Sequence, residues 1–357
     1  MTEERDFFVL CTCFCGGCLL ASVLRNGGTT RGCGEHLLLF VMLILFFCAL
    51  GFAVLRGERR VMMMGLILFL CGGCGYTATS LCGAGRVGDF AATTGVRTFL
   101  EGLPFEDRES NAFLTAILTG DRRLLSAETK AAFRGSGASH ILALSGMHLG
   151  IICSLLGGIL KIIGNSPIAK AIKGLTIILF SGIYTLATGA CESLVRAFLF
   201  ILIKEGCRLT GRKPKGMRVL CCALIIQLTI TPLAIDSVGF QLSYLAMCGI
   251  CILLPKFEEL YPKSKFPDPM RRLWSLVSMS ISCQVFTAPA VWYYFGTFPQ
   301  YFLITNLIAM PLTSIIMSVG LLACLLFYLG ICPDFILDSV EACIQAMIFC
   351  LKTISEL

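Results

Sequence analysis

Hydrophobic and polar positions in this chain are segregated on the scale of whole helices. Apolar runs fall at about 7–24, 37–55, 61–83, 141–160, 174–190, 193–203, 219–235, 238–255, 273–295, 301–329 and 335–351. A hydrocarbon layer about 30 Å thick is crossed by roughly 20 apolar residues in a helix, so most of these runs predict membrane spans. The run 193–203 is too short to cross alone and predicts half of a broken helix, or a span that borrows its flanks. The run 301–329 is long for one simple helix and contains Pro311. Proline removes a helix hydrogen bond and clashes with the preceding turn, which predicts a kink or a re-entrant piece near 306–313. The fold class that follows is all-α: a polytopic transmembrane helical bundle of about 10–11 membrane segments.

The one sizeable stretch between spans is 84–140. It divides the chain into N-terminal transmembrane helices over 1–83, an external linker with amphipathic helices over 84–140, and a channel-type membrane domain over 141–351. Within the linker, one short helix is predicted to start near Ser110 or Asn111 and to run through Phe113, Leu114, Ile117 and Leu118. A second is predicted from Ser126, a good N-cap with Glu128 in the first turn, to Gly135. The apolar spacing of the first suggests that these helices lie at the outer interface rather than cross.

Composition strengthens the membrane reading. The chain is 56% hydrophobic and 14% charged, where soluble domains carry about 25% charged residues. The formal charge of +7 sits mainly in a few short loops, as orientation signals require, and says nothing by itself about nucleic acid. With the N-terminus inside, the cytoplasmic segments hold 18 of the 29 Lys and Arg residues. The segment 204–218 is the firmest cytoplasmic anchor. The acidic start Met-Thr-Glu-Glu-Arg-Asp predicts a retained first span rather than a cleaved signal peptide. Most of the 21 cysteines lie inside apolar runs, where a reduced thiol behaves as a small hydrophobe. Neither a disulfide framework nor a metal site is expected from them, and no cofactor is expected at all.

Polar groups at a membrane entry point are costly unless they are used. His140, Ser145 and His148 stand where the charged stretch Thr119–Gly137 gives way to a long apolar run. His140, Leu144 and His148 repeat every four residues, which on one helix sets the two imidazoles along one side. Ser145, three residues before His148, is placed to hydrogen-bond it. Gly146 and Gly150 form a small-xxx-small pair that lets another helix approach. Glu192 and Arg196 are spaced and ordered for a helix ion pair. Arg196 is also a candidate phosphate ligand, because guanidinium grips phosphate in a bidentate way. Later runs carry Gln227, Gln241, Ser243, Tyr244, Gln284 and Asn306, groups that glue helices together or line a hydrated path. Tyr184, Tyr244, Trp292 and Tyr293 are candidate base-stacking or interfacial aromatics. There is no Walker loop and no HExxH, so neither an ATPase nor another enzyme is expected here.

Four segments carry a resemblance. They are TGDRRLLSAETKAAFRGSGASHILALSGMHLGI, YTLATGACESLVRAFLF, TPLAIDSVGFQLSYLAMCGI and QVFTAPAVWYYFGTFPQYFLITNLIAMPLTSIIMSVGLLA. In this order and spacing, over about residues 105–330, the chain resembles the ComEC competence family. The resemblance implies an inner-membrane channel for single-stranded DNA in bacterial transformation. It matches Gly120, Asp121, Ser145, Gly146, His148 and Gly150 in the first block and Arg196 in the second. In the third it matches Asp236, Gly239, Phe240, Gln241 and Ser243, with Ser237 where the family has a proline. Pro289, Phe295, Gly296, Asn306 and Pro311 fit the fourth. The channel-path candidates are therefore Asp121, His140, Ser145, His148, Glu192, Arg196, Gln241, Ser243, Tyr244 and Asn306.

The partners implied are single-stranded DNA, the lipid bilayer, a cytoplasmic DNA-uptake helicase and a separate external DNA receptor or nuclease. Full-length members resemble a three-part design with an external OB-like domain and a C-terminal metallo-β-lactamase-like domain. The stretch 84–110 is too short for the first, and the HxHxDH-type motif of the second is absent, so no nuclease activity is expected of this polypeptide. Two other readings compete. Ala143-Leu-Ser145-Gly146 looks faintly like the serine turn of an intramembrane serine hydrolase, and the same helices would suit a small-solute transporter.

Overall fold

The computed structural model describes residues 2–26, 59–82, 91–262, 269–296 and 300–356. The predicted span at 37–55 lies outside them. Among the described residues the regular structure is helical and no strand occurs. Six helices contain stretches long and apolar enough to cross a membrane: 6–23, 146–163, 167–187, 238–259, 269–295 and 302–328. The protein is a membrane protein. The runs predicted at 61–83, 193–203, 219–235 and 335–351 also lie on helices, which are shorter or more charged. The chain forms two compact units: one from 1–86, 202–253 and 283–296, the other from 87–201, 254–282 and 297–357.

In the first unit, helices α1 (Thr2–Asn26) and α2 (Arg59–Cys82) cross through small residues. A Cβ on Gly17 would overlap the Phe69 carbonyl oxygen, and one on Gly72 would overlap that of Phe14. Only glycine permits so close an approach of two backbones. Cys13 and Cys18 are fully buried in the unit, and the Cys18 thiol donates to the Gly72 carbonyl at 3.3 Å.

The second unit is built around a helix that the sequence places elsewhere. Helix α4 (Arg108–Thr119) follows α3 (Ala91–Glu101) and buries Ser110 and the whole run Ala112–Leu118. It lies inside the unit rather than flat on its surface. Its start is also earlier than the expected Ser110 or Asn111, because Asp107 caps it by accepting the backbone N–H groups of Glu109 and Ser110. Asp107 is held in turn by Glu341, whose carboxylate accepts the N–H groups of Glu106 and Asp107 at 3.2 and 3.0 Å. Helix α5 (Ala127–Gly135) begins behind Ser126 and ends at Gly135, as predicted.

The remaining helices are α6 (Gly146–Ile159), α7 (Pro167–Ala187), α8 (Glu192–Leu209), α9 (Gly216–Ile230), α10 (Val238–Ile252), α11 (Leu254–Glu259), α12 (Pro269–Phe295), α13 (Phe302–Tyr328) and α14 (Asp334–Ser355). Helix α8 extends the short run 193–203 in both directions by taking in its polar flanks. Helix α13 passes Pro311 without a break, so of the kink or re-entrant piece expected near 306–313 the re-entrant piece does not occur. Proline is tolerated within membrane helices because hydroxyl side chains and neighbouring helices satisfy freed backbone groups. The Thr313 hydroxyl donates to the Ala309 carbonyl at 2.6 Å. Gly320 of α13 lies against the Leu114 side chain of α4, where a Cβ would meet Leu114 Cδ1 at 2.7 Å.

Candidate functional site

Two turns of the second unit converge on the segment 138–145. Helix α4 ends at Gly120 in the left-handed region, φ 81°, a conformation glycine adopts at no steric cost. A Cβ at Gly120 would also come within 2.7 Å of Leu144 Cδ1. Two residues on, Arg122 Nε donates to the Leu142 carbonyl at 2.8 Å. From the turn between α7 and α8, the Cys191 thiol reaches the Leu144 carbonyl at 3.8 Å. That turn carries Gly189 at φ 84° and Ala190 at φ 48°, the second in a region that costs an L-residue free energy. Tyr184 fixes the other side, donating its hydroxyl to the Leu118 carbonyl at 2.7 Å.

Behind this segment α6 begins at a reciprocal cap. Ser145 Oγ accepts the Met147 N–H at 3.3 Å and lies 2.9 Å from His148 Nδ1. His148 Nδ1 accepts the Ser145 N–H at 3.2 Å. Nδ1 is therefore the acceptor nitrogen of a neutral ring, which puts the proton on Nε2. His148 is fully buried, and its Nε2 has no hydrogen-bond partner of normal geometry among the described residues. The expected Ser145–His148 contact is present. The expected alignment of His140 with His148 along one helix is not, because α6 starts only at Gly146. His140 stands exposed in the preceding loop, with Nδ1 3.3 Å from the Gly137 carbonyl oxygen. A serine cap ends the loop where the four-residue repeat suggested continuous helix.

Arg196 is 7% exposed and sits one turn into α8, which Glu192 opens. Its guanidinium faces the start of α6: a Cβ on Gly146 would lie 3.5 Å from Arg196 Nη2 and 3.3 Å from Ala197 Cβ. The close approach predicted for the Gly146/Gly150 pair thus holds at Gly146. It does not hold at Gly150, around which a Cβ would meet nothing. Asp121 pairs with Arg97 and Arg123 at 3.1 and 2.8 Å. The hydrogen bonds and charge of these arginines, Arg123 foremost, hold its carboxyl down at about 2. Asn306 lies on α13 with Oδ1 buried and without a hydrogen bond among the described residues. Beside it, Thr305 donates to the Ser136 carbonyl at 2.8 Å.

Gln241, Ser243 and Tyr244 belong to the first unit, on α10. Gln241 donates to the Ile235 carbonyl at 2.9 Å and accepts from the Tyr294 hydroxyl at 2.6 Å. Tyr244 is buried and donates to Gln227 Oε1 at 2.9 Å. Asp236, just before α10, accepts the hydroxyls of Ser22 and Tyr76, the latter at 2.7 Å. Sequence reasoning missed Ser22, Tyr76 and Tyr294, because partners 214, 160 and 53 residues away leave no local pattern. Of the candidate stacking aromatics, Tyr184 and Tyr244 are engaged by these internal hydrogen bonds, while Trp292 is 68% exposed.

The sequence model of the Competence protein family matches residues 117–357. The chain belongs to the Competence protein family. That match takes in the pinned segment 138–145, the Ser145–His148 cap, Arg196 and the Asp236–Tyr244 block, and leaves α1 and α2 outside it. Among curated proteins the chain is 26% identical over 215 residues to ComE operon protein 3 of Bacillus subtilis (strain 168), covering 60% of the chain and 26% of that relative. It is 25% identical over 224 residues to the uncharacterized protein YcaI of Escherichia coli (strain K12), covering 62% of the chain and 29% of the relative. The aligned part of this Competence protein thus spans just over a quarter of the length of either relative. No solved structure matches the chain.

Proposed function

We propose that this chain is a multi-pass plasma (inner) membrane channel through which single-stranded DNA enters the cell during natural transformation. The observation that carries the reading is the family match over 117–357, which includes every candidate path residue. The relative named for the ComE operon points the same way. The geometry adds a physical reason. A buried arginine on α8 facing the start of α6, and buried polar atoms on His148 and Asn306 without a hydrogen bond of normal geometry among the described residues, are features that a hydrated, phosphate-bearing path would use. A cytoplasmic DNA-uptake helicase and a separate external receptor or nuclease complete the proposed pathway. The test is transformation frequency in a deletion strain complemented with wild type or Arg196→Ala, with electroporated DNA as control. The reading requires that deletion abolishes natural transformation while electroporation still works. Unchanged natural transformation after deletion would remove it.

One observation favours a second reading, an intramembrane serine hydrolase: Ser145 Oγ stands 2.9 Å from His148 Nδ1. Against it, the same two groups close a helix cap, with the Ser145 N–H on the ring and the Met147 N–H on the hydroxyl. A base whose lone pair is held by a backbone donor is poorly placed to activate a nucleophile. We therefore propose a non-enzymatic protein, and expect a fluorophosphonate probe to leave Ser145 unlabelled. Stoichiometric labelling at Ser145 would favour the hydrolase.

A further inference from the structure

Around the turn after α4, three arginines are held in place by their own contacts. Arg123 grips Asp121 through Nε at 3.0 Å and Nη2 at 2.8 Å. Arg97, from α3, reaches the same carboxylate through Nη1 at 3.1 Å and bonds Glu101 through Nε at 2.6 Å. Arg122 is different. Its Nε donates to the Leu142 carbonyl, and it makes no ion pair among the described residues. A guanidinium carries five N–H donors, and the bonds named here engage two nitrogens of Arg97 and one of Arg122. The Arg123 side chain is 74% exposed and that of Arg97 29%, while Asp121 between them is 14% exposed. Arg122, without an ion pair among the described residues, adds a positive charge beside the carboxylate pairs of Arg97 and Arg123.

We propose that Arg97, Arg122 and Arg123 form a docking site for backbone phosphates of single-stranded nucleic acid, and that Asp121 positions the arginines. The proposal rests on the uptake reading and assigns its substrate a contact point outside the spans. Guanidinium forks match phosphate oxygens in a bidentate way. Side chains already immobilised lose less rotamer freedom on binding. If the network were only a rivet between α3 and the turn, Arg97 and Asp121 would suffice. Arg122, fixed to a carbonyl and not to an acid, adds a charge that such a rivet does not need. The turn is also anchored, by Gly120 against Leu144 and by Arg122 on Leu142, to the segment that leads into α6.

The sign of one substitution separates positioning from simple charge. Removing the negative charge of Asp121 brings an oligonucleotide closer to three cations, so charge alone predicts tighter binding for Asp121→Asn. Positioning predicts weaker binding. The full chain in nanodiscs of neutral lipid would be titrated with a labelled homopolymeric single-stranded DNA at several salt concentrations. Arg122→Gln combined with Arg123→Gln is expected to weaken binding about fivefold or more and to flatten the log–log salt slope by about 1.4, or about 0.7 per lost phosphate contact. Asp121→Asn is expected to weaken binding although the protein becomes more positive. Should Asp121→Asn fail to fold, Arg123→Lys keeps the charge but loses the fork, and is expected to weaken binding likewise. Tighter or unchanged binding in Asp121→Asn, or an unchanged salt slope in the double glutamine variant, overturns the proposal. If the wild-type chain binds DNA and the variants match it, the docking site fails while the uptake reading stands. If the wild type binds no DNA at all, both fail. If the glutamine variants lose only their retention of phosphatidylglycerol, the cluster is a lipid site and the proposal is wrong.

Discussion

Ser145 does two things at once: it ends the segment 138–145 and starts α6. The sequence made its contact with His148 legible, since residues three apart on a helix face each other. It did not show that the helix begins there, because the repeat of His140, Leu144 and His148 mimics helical spacing across a loop. The preference of serine for the N-cap is the competing rule that won. Ser145→Ala is expected to lower stability by about 1 kcal/mol, read as a drop in the thermal midpoint of the detergent-purified protein. At Ala190, φ 48° predicts the opposite sign: Ala190→Gly relieves a left-handed strain and is expected to raise stability by up to about 1 kcal/mol. Asp121 supplies a pH dependence. Its folded-state pKa, held down at about 2 chiefly by its hydrogen bond from Arg123, lies below the unfolded value of about 3.9. The stabilisation is therefore fully present above about pH 4 and is lost as the pH falls through about 2. With Arg123 mostly in solvent, it is worth at most about 1 kcal/mol. A melting series from pH 5 to pH 2 should fall more steeply for wild type than for Asp121→Asn.

Helix identity was easier to read from the sequence than helix environment. Each apolar run within the described residues lies mostly on a helix, with 141–145 a clear exception, because roughly 20 apolar residues in lipid have few other ways to satisfy their backbone. Environment is set by partners distant in sequence. Helix α4 reads as a surface helix in a linker, yet it is enclosed in a core with Ile316 of α13 and Ile344 of α14. The continuity of α13 through Pro311 also depends on surroundings, since the residue alone predicts a break. The crossing of α1 and α2 makes the clearest prediction at this scale. With the Phe69 carbonyl where a Gly17 side chain would begin, Gly17→Leu forces the two backbones apart. It is expected to cost about 1–3 kcal/mol and to abolish disulfide trapping between cysteines introduced across the crossing. Gly75, around which a Cβ would meet nothing, should accept alanine with an unchanged thermal midpoint.

At the scale of the whole molecule, class and family were legible and the wiring of the candidate site was not. Composition and run length point to a helical membrane protein, and four sequence blocks point to the family that the comparison then showed over 117–357. The candidate residues fall into two sets, one around Ser145, His148 and Arg196 in one unit and one around Gln241 and Tyr244 in the other. Chain order gave no sign of that division. The central claim concerns passage of a strand, not only its capture, and the most direct measurement separates the two. Cells carrying wild type or a deletion would be given end-labelled DNA, then treated with DNase, and the protected single-stranded label inside would be counted alongside the label bound at the surface. The account predicts that deletion leaves surface binding intact and removes the protected internal strand, and that Arg196→Ala at normal membrane levels does the same. Internal label persisting in the deletion strain at the wild-type level would contradict it.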